Sequence, residues 1–334
     1  MNICDIEYYL PERIISNNSL QEIHPDWRLD EVQKRSGVFS RHRAHLEETA
    51  LDMAVKTCHQ LFEKKPILKQ KIDGIIFCTQ TPDYKLPGNS GILQSRLELE
   101  RPVYAVDINL ACSGFVYGLS IAKGLIFSGQ LKNIILVTSE TYSKIISNND
   151  RSASLLFGDG CAVSWLSGDE KGGKICEIEC GSVGKGFETF YVPAGGARTP
   201  SSSETRVEKV DDSGNIRSAE NIHMNGAKIL AFASTVVVNH IRTFLKNSSL
   251  KIEDIDLVVC HQASKMALET LKRKLKINDS KMVIDIEDIG NTVSASIPIA
   301  LARAVKSQRI CAGDKVLVSG FGAGLSFGSG IIQY

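Results

Sequence analysis

IDLVVCHQ, residues 255–262, repeats the pattern of IDGIIFCTQ, residues 72–80, and the two starts lie 183 positions apart. A second pair, KVLVSGFG (315–322) and IILVTSET (134–141), is separated by 181. All four stretches are short and mostly rich in Ile and Val, as strands buried on both faces are. Each half also carries a stretch of helical length: GFVYGLSIAKGLIFSG (114–129), almost wholly apolar, and SIPIALARAVKSQ (296–308). A near-constant offset that carries strand, helix and strand together is the signature of duplication. The expected fold is therefore α/β, with two related halves over residues 1–170 and 171–334 and helices covering largely buried sheet.

The 334 residues suffice for two core units or one large duplicated one. Lys and Arg total 39 against 38 for Asp and Glu, which excludes an overall basic nucleic-acid binder and an acidic tail as the main theme. The nine Cys are odd in number and follow no metal-ligand or disulfide-framework spacing, so a reducing compartment and no metal are expected. MNICDIEYYLPER at the N-terminus carries acids where a secretory signal needs an apolar run, and no later stretch reaches eighteen apolar residues. The reading is a soluble cytoplasmic protein with no membrane and no nucleic-acid partner. One segment departs from the repeat: residues 195–220, GGARTPSSSETRVEKVDDSGNIRSAE, are polar and Ser-rich and read as a long surface loop.

Three residues stand where chemistry is expected. Cys112, in NLACSGFVYGL, sits between a strand-like DIN and the start of the apolar helix, where free N–H groups and the helix dipole favour a thiolate nucleophile. A buried structural cysteine is the alternative for that residue alone. His261 follows the apolar strand LVVC directly, and Asn291, in IGNTVSAS, lies between the strand-like MVIDI and the second helix. Both fall at C-terminal strand ends, the edge where open α/β sheets build their sites. A core histidine and a turn asparagine are the structural alternatives. SGFGAGLSFGSG (319–330) is dense in glycine but lacks the Lys-Ser/Thr of a phosphate loop, and suits a tight turn that aims backbone N–H groups into a site.

The ACSGF, HQAS, GNTVSAS and GFGAGLSFGSG segments, in this order, resemble beta-ketoacyl-acyl carrier protein synthase III of the thiolase superfamily, and FGDG (157–160) and MNG (224–226) fall in the matching order. The resemblance covers essentially the whole chain and implies a thiolase-like fold, two halves packed as an α/β/α/β/α layered body. It implies that Cys112 accepts an acyl group from a thioester and that backbone N–H groups of Cys112 and Ala323 hold the oxyanion. His261 and Asn291 would then stabilise the enolate formed when malonyl-acyl carrier protein loses carbon dioxide. It further implies a homodimer, acyl carrier protein as partner, acyl-coenzyme A or acyl-carrier thioester as substrate, and no cofactor.

The same resemblance marks departures. Arg35 and Arg151 match the family's coenzyme A clamp, but Glu31 stands where its stacking tryptophan is expected, with Trp27 one turn earlier, and Ala227 stands where an Asn often does. After His261, Ser264 replaces Asn and Met266 an arginine, yet Lys265, Lys272, Arg273 and Lys274 form a basic helix suited to carrier docking, above an apolar stripe of Leu268, Leu271 and Leu275. Leu86 matches a phenylalanine that reaches the partner subunit's acyl pocket and implies a longer or branched acyl group. The expected activity is decarboxylating condensation to a 3-oxoacyl-carrier product. An acyltransferase acting on an alcohol or amine acceptor, in secondary metabolism or glycan modification, and a non-catalytic carrier-binding homologue are the other readings.

Overall fold

The computed structural model describes residues 1–27 and 29–334. Nine strands form the main sheet: β1 (Asn2–Tyr9), β2 (Gly74–Cys78), β3 (Tyr104–Ile108), β4 (Asn133–Glu140), β5 (Gly160–Ser167), β6 (Gly173–Ser182), β7 (Leu257–Cys260), β8 (Lys315–Gly322) and β9 (Ser326–Gln333). Their spatial order is β7-β8-β9-β6-β1-β5-β4-β2-β3. The halves mirror each other about the β1/β6 contact, which is narrow, pairing Asn2 with Lys174 and Ile3 with Gly173. In the first half β2 runs parallel to β3 and β4, while β5 is antiparallel to both β4 and β1. The second half repeats this with β7 parallel to β8, and β9 antiparallel to β8 and β6. The strand that would answer β3 is reduced to one parallel bridge, Val258 to Met282. MVIDI, expected to be strand-like, is thus not a strand. Instead the Gln262 side chain donates to the Val283 carbonyl and accepts from the Asp285 N–H, taking over part of the missing ladder.

Both faces of the central strands are buried, and the alternation of their side chains sorts them into layers. Along β4, Ile134 and Leu136 enter the central cluster, while Ile135 and Val137 face outward to the cluster built on α2 (Ala50–Lys64) and α3 (Asn89–Arg96), which follow α1 (Leu29–Ser36) in the chain. Along β7, Leu257 and Val259 face the centre, while Val258 and Cys260 meet α5 (Val238–Asn247) and α6 (Lys265–Leu275). Two helices occupy the central layer, α4 (Gly114–Phe127) and α7 (Ser296–Lys306), and each touches strands of both halves. The result is the expected α/β/α/β/α stack.

Why α4 forms despite Gly114, Gly118 and Gly124 follows from this placement. Each interior glycine costs a helix about 0.5–1 kcal/mol. Burying Phe115, Val116 and Leu119 completely returns about 1.5–3 kcal/mol apiece. Gly118 also lets α4 pack closely on β4, since a Cβ there would lie 2.5 Å from Leu136 Cδ1. Local signals set other ends: Thr49 and Asp52 form a capping box at the start of α2, and Ser264 caps α6 by accepting from the Ala267 N–H.

Residues 195–220 are more than a loop. They contain a short hairpin, Lys209–Val210 paired with Ile216–Arg217, and its Arg217 bonds Asp150 at 2.7 Å and Asp211 at 2.6 Å. Glu220 ties the rest by accepting from Ser201 and Thr205.

Candidate active site

Cys112 lies in the turn that opens α4 and is 2 % exposed. Glycines of β8 let the strand press against this turn. A Cβ on Gly320 would fall 2.8 Å from both the Cys112 carbonyl oxygen and Ser113 Cα, and one on Gly322 would fall 2.9 Å from Cys112 Sγ. Ser113 Oγ meets Ser326 Oγ at 2.7 Å, so the turn is held by the second half of the molecule. Among the described residues neither the Cys112 N–H nor the Ala323 N–H donates to another residue of the protein. Both donors remain available. The thiolate expected from the helix dipole is not the resting form: burial pushes the Cys112 thiol well above its usual range, and the neighbouring Glu140 adds to the shift.

His261 leaves the end of β7, its N–H bonded to the Ser319 carbonyl at 2.8 Å and its ring edge-on to Phe321. Ser296, the first residue of α7, places its Oγ 2.7 Å from His261 Nδ1, and the same oxygen accepts weakly from the Gln262 N–H. The Ser296 hydroxyl is placed to donate to Nδ1, the arrangement that puts the ring proton on Nε2. Burial lowers the imidazole to about 3, so the ring is neutral near pH 7.

Asn291 is fixed from three sides. Its backbone N–H bonds the Leu156 carbonyl and its carbonyl accepts from Gly158, so the FGDG segment grips it like a short strand pair. Gly158 is obligatory there, because a Cβ would sit 2.2 Å from the Ile289 carbonyl oxygen. Asn291 Oδ1 accepts from the Val293 N–H at 2.9 Å, which assigns the amide and turns Nδ2 toward His261. Val293 pays for the turn with φ of 55°, a strained value for a β-branched residue. Asn291 Nδ2 and His261 Nε2 lie 3.5 Å apart. With the proton on Nε2 both atoms present hydrogen to the same point, and they converge where one acceptor oxygen fits.

Cys112, His261 and Asn291 share one cavity of about 190 Å³, walled by Phe157, Phe190, Ile229 and Phe321. A second of about 340 Å³ carries Leu110, Tyr142, Ala323 and Gly324, with the Gln80 and Asn109 amides. An outer cleft of about 730 Å³ is lined by Arg35 and Arg151. Trp27 stacks on His24 with centroids 3.9 Å apart and does not line the cleft. Leu86 is 82 % exposed and lines none of these spaces. On α6, Lys265, Arg273 and Lys274 are exposed and the leucine stripe is buried. Lys272 differs from expectation, being engaged by Glu269 at 2.5 Å and Asp279 at 2.7 Å.

Two site residues escape sequence reasoning. Glu140 ends β4 fully buried, accepting from Ser294 Oγ at 2.7 Å and from the Gln80 N–H at 3.0 Å. Burial raises its carboxyl to about 8 even though these bonds pull the other way. An acid closing an apolar strand was the available signal. Ser296 gave none, since a serine at a helix start reads as a cap. Among the described residues all nine cysteines are free, no group of three or more His, Cys, Asp or Glu could hold a metal, and no helix is long and apolar enough to cross a membrane.

A duplicated five-layer body with a cysteine at a central helix start, facing a histidine and an asparagine, defines a thiolase-like acyltransferase. The comparisons narrow this. The sequence model described as 3-oxoacyl-[acyl-carrier-protein] synthase III matches residues 106–184, and that of the synthase III C terminal matches residues 245–334. The beta-ketoacyl-[acyl-carrier-protein] synthase III of Caldanaerobacter subterraneus is 34 % identical over 98 % of this chain and 95 % of that protein. A crystal structure of a 3-oxoacyl-(acyl-carrier-protein) synthase III superposes with a TM-score of 0.96 at 35 % identity, covering 100 % of this chain and 99 % of the other. The corresponding enzyme of Aquifex aeolicus gives 0.86 at 30 % identity, with 100 % and 99 % covered. The chain belongs to the beta-ketoacyl-[acyl-carrier-protein] synthase III family.

Proposed function

We propose that the chain catalyses a decarboxylating Claisen condensation between an acyl group held on Cys112 and malonyl-acyl carrier protein. The observation that carries this reading is the pair of converging donors, His261 Nε2–H and Asn291 Nδ2–H, beside the nucleophile. Simple acyl transfer needs no such pair; an enolate does.

In the first step Cys112 sulfur attacks the donor thioester, the oxyanion lies between the Cys112 and Ala323 N–H groups, and the departing thiol leaves with the proton the cysteine gives up. Malonyl thioester then binds with its carbonyl oxygen at the His261 and Asn291 donors. The carbon–carbon bond to the carboxylate breaks, carbon dioxide leaves, and the electron pair forms an enolate stabilised by two neutral donors. Its carbon attacks the acyl carbonyl, the tetrahedral oxyanion returns to the first pair of N–H groups, and collapse expels Cys112, which takes up a proton. No cofactor is required by these steps.

The homodimer belongs to the same reading. It is supported by β3, which lies at the sheet edge with Tyr104 44 % exposed, and by the exposed Leu86 nearby in the chain. An unprotected edge strand of this kind favours pairing with a second copy. Carrier docking on the exposed Lys265, Arg273 and Lys274 of α6, and a cytoplasmic location, complete it.

The test is carbon dioxide release from malonyl-acyl carrier protein in the presence of an acyl donor, with the mass of Cys112 followed in parallel. Acylation accompanied by decarboxylation is expected. Acylation without decarboxylation would replace condensation with transfer to another acceptor.

A further inference from the structure

Building on the role proposed for Cys112, we infer that its acyl group arrives on a phosphopantetheine arm borne by a carrier rather than on coenzyme A, and that the hairpin over residues 209–217 acts as the filter. The outer cleft and the nucleophile's cavity share Leu156, Met224, Gly226, Ser264 and Met266, so they form one passage from the surface to Cys112. Any thioester must thread its pantetheine through it, and whatever lies beyond the pantetheine remains in the outer cleft.

Among the described residues the charges lining that outer cleft balance. Its lining carries Arg35, Arg151 and Arg217 against Glu188, Asp211 and Asp212. Arg217 is already engaged by Asp150 and Asp211, and Asp211 accepts further from the Ser213 and Asn215 N–H groups. This leaves Arg35 and Arg151 in one lining with the exposed Asp212 and Glu188. The hairpin also crosses Arg151, whose Nη2 donates to the Ser213 carbonyl at 3.4 Å. Coenzyme A would bring a doubly charged diphosphate and a 3′-phosphomonoester of about −1.5 to −2 into this space. A carrier's arm brings one phosphodiester, and the carrier itself stays outside. Met266, 41 % exposed at the rim, lies in the first turn of the helix whose Lys265, Arg273 and Lys274 face solvent, so a docked acidic carrier has its attachment point beside the entrance. Charge matching of this kind acts chiefly on the rate of productive encounter.

The experiment compares initial rates of Cys112 acylation, read by intact mass, with acetyl, butyryl and octanoyl groups each presented on pantetheine, 4′-phosphopantetheine, coenzyme A and holo-acyl carrier protein. For the acyl chain that reacts, phosphopantetheine should exceed coenzyme A by roughly tenfold or more at low salt. The gap should shrink at high salt and in a protein carrying Asp212→Asn with Glu188→Gln. Equal or faster acylation by coenzyme A overturns this inference alone. Failure of every donor, pantetheine included, overturns the role of Cys112 and the inference with it.

Discussion

The proposed condensation gives Asn291 and Cys112 different steps, and single substitutions separate them. Asn291→Ala removes one of the two enolate donors and should slow decarboxylation about 10²–10³-fold while leaving Cys112 acylation much less affected, measured by carbon dioxide release against intact mass. Ser296→Ala frees His261 Nδ1 to hold the proton, so decarboxylation should fall and acylation should persist. Glu140 gives a pH signature. With its carboxyl raised to about 8, it is neutral below that pH and ionised above it. The new negative charge beside Cys112 opposes the thiolate, so in Glu140→Gln the alkylation of Cys112 by iodoacetamide should run faster than wild type above pH 8 and similarly below it. Coincident pH curves would remove Glu140 from the nucleophile's environment. Cys112, His261 and Asn291 are legible in the sequence because each is a reactive or polar residue set against an apolar strand or helix. Glu140 and Ser296 act through partners 154 and 35 residues away, and no local pattern announces such a bond.

At the scale of elements, the FGDG segment is a clamp on the Asn291 turn. Gly158→Ala forces a Cβ toward the Ile289 carbonyl and should destabilise the protein by about 1–3 kcal/mol in chemical denaturation, with decarboxylation lost faster than acylation. The apolar stripe of α6 follows directly from its 3.6-residue spacing, and Leu268, Leu271 and Leu275 are buried as the spacing requires. Its charged face is less legible, because the partners that occupy Lys272 come from one turn away and from beyond the helix end. The exposed pair is the better probe of docking. Arg273→Glu with Lys274→Glu should raise KM for malonyl-acyl carrier protein roughly tenfold and leave malonyl-pantetheine unchanged; equal effects on both would place the carrier elsewhere.

For the molecule as a whole, the duplication is the most legible feature, since β2 and β7, and β4 and β8, repeat both sequence and sheet position. What the repeat could not foretell is where the halves diverge. The answering strand for β3 collapses to one bridge at Met282, and residues 195–220, a loop by composition, fold into a hairpin because Arg217 finds Asp150 far back in the chain. The hairpin lines the outer cleft that adjoins the cavity of Cys112, while the shared plan places Cys112 at the start of one central helix and brings His261 and Asn291 to it from the other half. That division of labour is the core of the account, and a single turnover tests it. Protein acylated on Cys112, freed of donor and mixed with malonyl-acyl carrier protein, should lose its adduct as one carbon dioxide and one 3-oxoacyl-carrier appear per acyl group. An adduct that survives the mixing, or that leaves as free acid without carbon dioxide, would contradict it.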